Sequence, residues 1–198
     1  MAHITKIRLP QRIVIKPTLN DVWHMQPDEF TIAVRKYLAA EMRSGSYKPN
    51  LEGHKKRFLS DQERTWLIEQ DLEFLSQKLG VKGRAFLMDK MHCKLLTKVD
   101  RAEVRVYEPV SGEIQTYDFN RLSRNLDYVV VTQDIRHAYN RARERRKDLY
   151  SLPNHLAATE YSVNEKRIQE LGQVQRDGVN CIPLCIYAAA QTLRPNIR

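Results

Sequence analysis

Three side chains have the types that cysteine-dependent acyl transfer requires: His92, Glu108 and Cys181. A cysteine nucleophile needs a base that takes up its proton. The base in turn needs a carboxylate that fixes its tautomer and stabilises its charged form. Cys181 begins an apolar stretch that predicts a helix, and the dipole at a helix N-terminus favours a negatively charged sulfur. Gln175, just upstream, offers an amide N–H to a developing oxyanion.

The register of one predicted strand pair decides whether His92 and Glu108 meet. The residues 94–99 and 103–107 have the alternation of two strands, joined around Asp100 and Arg101. A three-residue loop would place His92 directly opposite Glu108, on the same side of the sheet. Leu96 would then face Val104. A two-residue loop would offset the pair by one position, so the prediction depends on the turn.

The surrounding elements predict an α+β fold, because helices come first, strands follow and helices return. A first helix is expected from Pro27 to Met42, closed by Gly45, and a second from a capping box of Ser60 and Glu63 to Gly80. Further strands are expected at 84–88, 128–132 and 168–175, a basic helix at 135–150 and a final apolar helix at 183–193. The predicted division is an N-terminal helical portion, residues 1–80, and a catalytic core, residues 81–198, within one compact domain.

Composition limits the alternatives. The chain of 198 residues has a formal net charge of +9, which favours anionic partners. It lacks an apolar run long enough to span a bilayer and a secretory signal at its N-terminus, so a soluble protein is expected. Three cysteines do not make a disulfide framework. Cys93 and Cys185 are predicted to be small, reduced and buried.

The order of the candidate residues resembles one known group of enzymes. His92, then Val106-Tyr107-Glu108-Pro109, then Gln175-Arg176 leading to Cys181 is similar to the YopJ family of bacterial effectors. The wider clan includes SUMO-specific proteases, bacterial deubiquitinases and the adenovirus protease, which share the order His, Asp or Glu, Gln, Cys. The resemblance covers roughly Met88 to Gln191.

The resemblance implies both a fold and an activity. The fold would be a papain-like cysteine-enzyme core, with a small mixed sheet, a nucleophile helix and two N-terminal helices. His92 would be the base, Glu108 the orienting carboxylate, Gln175 the oxyanion donor and Cys181 the nucleophile. Acetyl-CoA would be the donor and Ser, Thr or Lys side chains of host proteins the acceptors. Inositol hexakisphosphate would be the activator, and delivery into a host cell would need no signal peptide.

A basic segment gives that activator a candidate site. The residues are crowded on one predicted helix and include Arg141, Arg143, Arg145, Arg146 and Lys147. A solvated helix face is the alternative interpretation. No recognition fold and no interleaved aromatic residues accompany the charges, as nucleic-acid binding would favour. The resemblance to the YopJ family ranks a polyphosphate ahead of DNA or RNA. A zinc site is disfavoured, since the His92-Cys93 and Cys181/Cys185 pairs lack familiar zinc spacings.

Three functions remain open from the sequence. The first is a YopJ-like acetyltransferase, favoured by Glu-Pro and the Gln-Arg segment. The second is a protease for ubiquitin or a ubiquitin-like modifier, favoured because YopJ relatives continue well beyond the last helix. The third is a non-catalytic basic adaptor on the same scaffold. Ile182 and Pro183 favour the adaptor, because a Gly usually follows the nucleophile in the family.

Overall fold

A computed structural model describes residues 14–52, 67–89, 92–124, 129–145, 151–171 and 179–196. The helices within them are α1 (Leu19–His24), α2 (Pro27–Ser44), α3 (Glu69–Leu79), α4 (Phe119–Arg124), α5 (Gln133–Arg145), α6 (Leu152–Ala158), α7 (Glu165–Leu171) and α8 (Cys181–Thr192). The strands are β1 (Ala85–Asp89), β2 (His92–Val99), β3 (Glu103–Glu108), β4 (Glu113–Asp118) and β5 (Val129–Val131). The predicted α+β class is confirmed.

The strands form one five-stranded sheet in the order β4-β3-β2-β1-β5. Every pairing between them is antiparallel, so the predicted mixed sheet is wrong for the described strands. For the pairs β2–β3 and β3–β4 the reason is the length of the connections. β2, β3 and β4 follow one another through short turns, and a short turn can only join antiparallel neighbours.

Helix α8 lies at the centre of the larger hydrophobic core. All its residues are buried, and it packs against β2 and against α1, α2, α3 and α7. The core therefore joins the N-terminal helices to one face of the sheet, through residues such as Phe30, Leu72, Phe86, Leu95 and Ile186. A smaller cluster on Leu96, Val104 and Val106 packs against α4 and α6.

The predicted N-terminal helices are present, with one boundary corrected. α2 ends at Gly45, whose φ of 78° is the left-handed conformation that glycine adopts most readily. α3 ends at Gly80, with φ of 74°. It begins at Glu69 because the Asp71 carboxylate accepts the Ile68 N–H at 2.9 Å and caps the first turn. The Ser60–Glu63 capping box lies outside the described residues.

One strand prediction needs correction, and one strand was not predicted. Residues 168–171 belong to helix α7 and not to a strand. Ile168 and Leu171 are three residues apart, as on one side of a helix, and both pack against the larger core. The rest of that predicted strand lies outside the described residues. β4 was not predicted, because it is an edge strand without a fully buried residue, in which Glu113, Thr116 and Asp118 are exposed, and its apolar signal is correspondingly weak. No helix within the described part of the chain is both long and apolar enough to cross a membrane.

Candidate active site

The three candidate catalytic side chains lie at the ends of three secondary-structure elements. His92 is the first residue of β2, Glu108 the last residue of β3 and Cys181 the first residue of α8. Since β2 and β3 are adjacent and α8 packs on β2, residues far apart in sequence come together there. The fold brings all three into one hydrogen-bonded group.

The register that does this differs from the predicted one. Leu96 pairs with Val106, not with Val104. A β-bulge between Leu96 and Lys98 and a longer turn after Val99 move β3 along β2. In that turn the Asp100 carboxylate accepts the N–H groups of Ala102 and Glu103, both at 2.8 Å.

The corrected register still keeps His92 and Glu108 on the same side of the sheet. Leu95 pairs with Tyr107, so the same register carried one residue further puts Lys94 opposite Glu108. His92 is then two residues away from the position opposite Glu108. Strand side chains alternate with a period of two, and an even offset therefore preserves the side.

The imidazole of His92 is held by the carboxylate of Glu108. Its Nε2 lies 2.8 Å from Oε1 and 2.7 Å from Oε2. The Val110 N–H donates to Oε1 at 3.0 Å, which fixes the carboxylate from the β3–β4 turn. Glu108 is only 7% exposed. The carboxylate is thus held in one position. Because Nε2 contacts Glu108, Nδ1 is the ring nitrogen that can hydrogen-bond to another side chain.

That partner is Cys181, whose side chain is hydrogen-bonded to His92. The pKa of His92 is raised from its ordinary 6.5 to about 9, chiefly by the hydrogen bonds with Cys181 and Glu108, while burial opposes the rise. At neutral pH the ring is therefore mostly protonated. An imidazolium between a carboxylate and a cysteine favours negative charge on the sulfur.

Lys94 is a charged neighbour that the sequence analysis missed. Its Nζ lies 3.4 Å from Glu108 Oε2 and donates to Gln115 Oε1 at 2.9 Å and to the Tyr117 hydroxyl at 2.6 Å. Burial raises the pKa of Glu108, but the hydrogen bonds from His92 and Val110 and the charges of His92 and Lys94 outweigh it, and the pKa lies below its ordinary value. The available signal was spacing, because Lys94 and His92 are alternate residues of one strand.

The residues after Cys181 are part of the hydrophobic core. Cys181 itself is 1% exposed, as is Ile182, and Pro183 is also buried. Pro183 lies in the first turn of α8, where a missing N–H leaves no helical hydrogen bond unmade. The two residues that favour an adaptor therefore have a packing role in this helix.

The other candidate residues lie either outside the described part of the chain or on another element. Gln175 lies outside the described residues, as do Arg146 and Lys147. Arg141, Arg143 and Arg145 are exposed on α5. α5 directly follows β5, which is the edge of the sheet opposite β4. Within the described ranges, no group of three or more His, Cys, Asp or Glu side chains is arranged to hold a metal ion.

Comparison with known proteins gives no family to which the chain can be assigned. No family model matches it, and neither does any curated protein or any solved structure.

Proposed function

We propose that the chain is a cysteine-dependent acyltransferase in which Cys181 is the nucleophile. The observation that carries the proposal is the position of His92, which is hydrogen-bonded both to Cys181 and to the buried Glu108. A nucleophile, a proton carrier and an orienting carboxylate in that order are the parts that covalent acyl transfer needs. Acetyl-CoA as donor and Ser, Thr or Lys of a host protein as acceptor are proposed from the resemblance to the YopJ family.

The first half-reaction transfers the acyl group to the enzyme. The negatively charged sulfur of Cys181 attacks the thioester carbonyl of acetyl-CoA, and the carbonyl oxygen takes up the negative charge. Collapse of this intermediate breaks the bond to the CoA sulfur, which leaves with the proton of the His92 imidazolium. The products are acetyl-Cys181, free CoA and a neutral His92.

The second half-reaction restores the resting state. Neutral His92 takes the proton of the acceptor hydroxyl or amine, and the acceptor attacks the acetyl carbonyl. Cys181 leaves as the negatively charged sulfur, so the imidazolium and the sulfur anion form again. Glu108 stabilises the imidazolium at each stage where it exists, and it keeps the ring in one orientation.

A specific observation favours a second candidate, a protease of ubiquitin or a ubiquitin-like modifier. CoA is a good leaving group without a proton, whereas an amine leaving from an amide must be protonated. The raised pKa of His92, about 9, keeps that proton on the ring at neutral pH. The same three residues would then cleave an amide, with water as the second nucleophile.

The proposed inositol hexakisphosphate site is supported only in its chemistry. Guanidinium groups bind phosphate well, and Arg141 and Arg145, one turn apart, share a side of α5. Arg143 lies two residues from each and points to another side of the helix. A polyphosphate on α5 would therefore contact Arg141 and Arg145, with His137 one turn before them, rather than all three arginines.

Intact mass spectrometry after incubation with acetyl-CoA tests the proposal. We expect a single acetyl adduct in the wild-type chain and none in Cys181→Ala. Each protein is incubated with and without inositol hexakisphosphate, which tests the proposed activator. A ubiquitin or SUMO probe with a reactive C-terminus runs in parallel. Labelling by the probe without an acetyl adduct would favour the protease. The absence of both adducts in a folded protein would contradict catalysis and favour the basic adaptor.

A further inference from the structure

Arg35 of α2 holds the two residues that precede Cys181. Its Nε donates to the side-chain oxygen of Asn180 at 2.8 Å, and its Nη2 donates to the backbone carbonyl of Val179 at 3.2 Å. Arg35 and Asn180 are 145 residues apart in sequence. The guanidinium is therefore a tertiary link between an N-terminal helix and the start of the helix that bears Cys181.

The link explains an unusual feature of α8. Asn180 occupies its N-cap position, where an Asn side chain normally accepts a first-turn N–H. Here Asn180 makes no side-chain capping bond, and its oxygen accepts from Arg35 instead. Pro183 also removes one N–H from that turn. The start of α8 is thus positioned from α2 rather than by its own cap.

α2 is a rigid base for this contact. Val34, next to Arg35, is completely buried, and Leu38 is 3% exposed in the core that contains α8. The ring of Phe30 packs against that of Tyr187, with centroids 5.6 Å apart. Because these contacts fix α2 against α8 independently of Arg35, loss of the guanidinium would release the residues before Cys181 and leave the helix pair packed.

We propose that Arg35 is a positioning residue, which holds Asn180 and Val179 so that the Cys181 sulfur stays in hydrogen-bond contact with His92. The inference rests on the proposed function, and it makes the N-terminal helical portion part of the active site. Donation to two acceptors at once, from Nε and Nη2, needs the planar guanidinium. Lysine, with one ammonium nitrogen, keeps the charge but holds only one of the two acceptors well.

The test compares Arg35→Met and Arg35→Lys with Lys36→Met, an exposed charge removed from the next position of the same helix. The measurement is the iodoacetamide labelling rate of Cys181, by peptide mass spectrometry, at about pH 6.5 and about pH 10. In Arg35→Met we expect the rate at the lower pH to fall about 10- to 100-fold. The rate at the higher pH, where an isolated thiol is ionised, should change little. Arg35→Lys should lie between wild type and Arg35→Met, and Lys36→Met should match wild type.

A double-mutant cycle makes the inference specific. Asn180→Ala removes one acceptor, and Arg35→Met with Asn180→Ala should then lower the rate no further than the stronger single change. A purely structural role would instead lower the thermal midpoint and change the labelling rate by a similar factor at both pH values, and that result would overturn the inference. Unchanged labelling in Arg35→Met would also overturn it while leaving the proposed function intact. If wild-type Cys181 reacts no faster than Cys93 and Cys185, both fail.

Discussion

The first and second turns of α8 each carry a cysteine, and the two sulfurs have different hydrogen-bond partners. Cys181 is 1% exposed and Cys185 is 0% exposed, so burial does not separate them. Cys181 meets the ring of His92 at the helix N-terminus. One turn later, Cys185 Sγ donates to the backbone carbonyl of Cys93 at 3.2 Å. Burial, together with the Cys93 side chain, raises the pKa of Cys185 well above its ordinary value.

Adjacent residues of one strand produce this difference. His92 and Cys93 are neighbours on β2, and each is hydrogen-bonded to a different cysteine of α8. A protonated imidazole can compensate a negative charge on a neighbouring sulfur, whereas the Cys93 carbonyl accepts a hydrogen bond that only a protonated thiol can donate. We therefore expect the partner of each sulfur, and not its burial, to decide its reactivity.

Replacing the histidine should abolish the difference between the two turns. In His92→Asn, labelling of Cys181 by iodoacetamide near neutral pH should fall by about 100-fold or more, because the compensating charge is gone. Cys185 should remain unreactive, as in wild type. Peptide-level mass spectrometry measures both in one sample. Rapid labelling of Cys181 in His92→Asn would show that the helix terminus alone activates it.

Changing the charges around Glu108 should have a smaller effect on the difference between Cys181 and Cys185, because it shifts the pKa of His92 without removing the ring. Removing the carboxylate in Glu108→Gln should lower the pKa of His92 from about 9 toward 6.5. Removing the competing cation in Lys94→Met should instead raise the pKa of His92 above its wild-type value, by roughly half a unit to one unit. NMR titration of the His92 ring measures both shifts. A Lys94→Met shift in the downward direction would contradict the placement of Lys94 beside the carboxylate.

The raised His92 pKa also has a consequence for stability. Because the folded-state pKa is above the ordinary value, the stabilisation is complete below about pH 6.5 and is lost as pH rises through about 9. The thermal midpoint of wild type should therefore fall more steeply across that window than the midpoint of His92→Asn. Differential scanning calorimetry measures the two slopes, and parallel slopes would show that the ring has no charged partner.

The smallest effect on chemistry should come from the second turn. Cys185→Ala removes a fully buried sulfur and should lower the free energy of unfolding by about 1–2 kcal/mol through the cavity it leaves. Labelling of Cys181 should stay within about twofold of wild type, since His92 and Glu108 are unchanged and the interaction between the two sulfurs is one of the smaller contributions to the pKa of Cys185. Urea unfolding and the labelling assay test the two statements separately. A large loss of Cys181 reactivity would mean that the two turns are coupled.

The sequence by itself determined the types of the chemical groups and much of the local structure. α2, α3, β1, β2, β3, β5, α5 and α8 follow from period, capping signals and glycine stops, which are local properties of the chain. His92, Glu108 and Cys181 are indicated by residue type, by neighbouring residues and by their order along the chain, which resembles that of the YopJ family. Five elements escaped that reasoning, because an exposed edge strand and helices of six or seven residues carry weak local signals: β4, α1, α4, α6 and α7.

Only the tertiary structure decided how those groups meet. The bulge after Leu96 and the turn capped by Asp100 set the register, and no local pattern predicted that Lys94, rather than His92, would be opposite Glu108. Arg35 reaches Asn180 across 145 residues because α2 and α8 share one core. A sequence pattern specifies which side of an element is apolar, but the packing of one element on another specifies which polar ends come within hydrogen-bond distance.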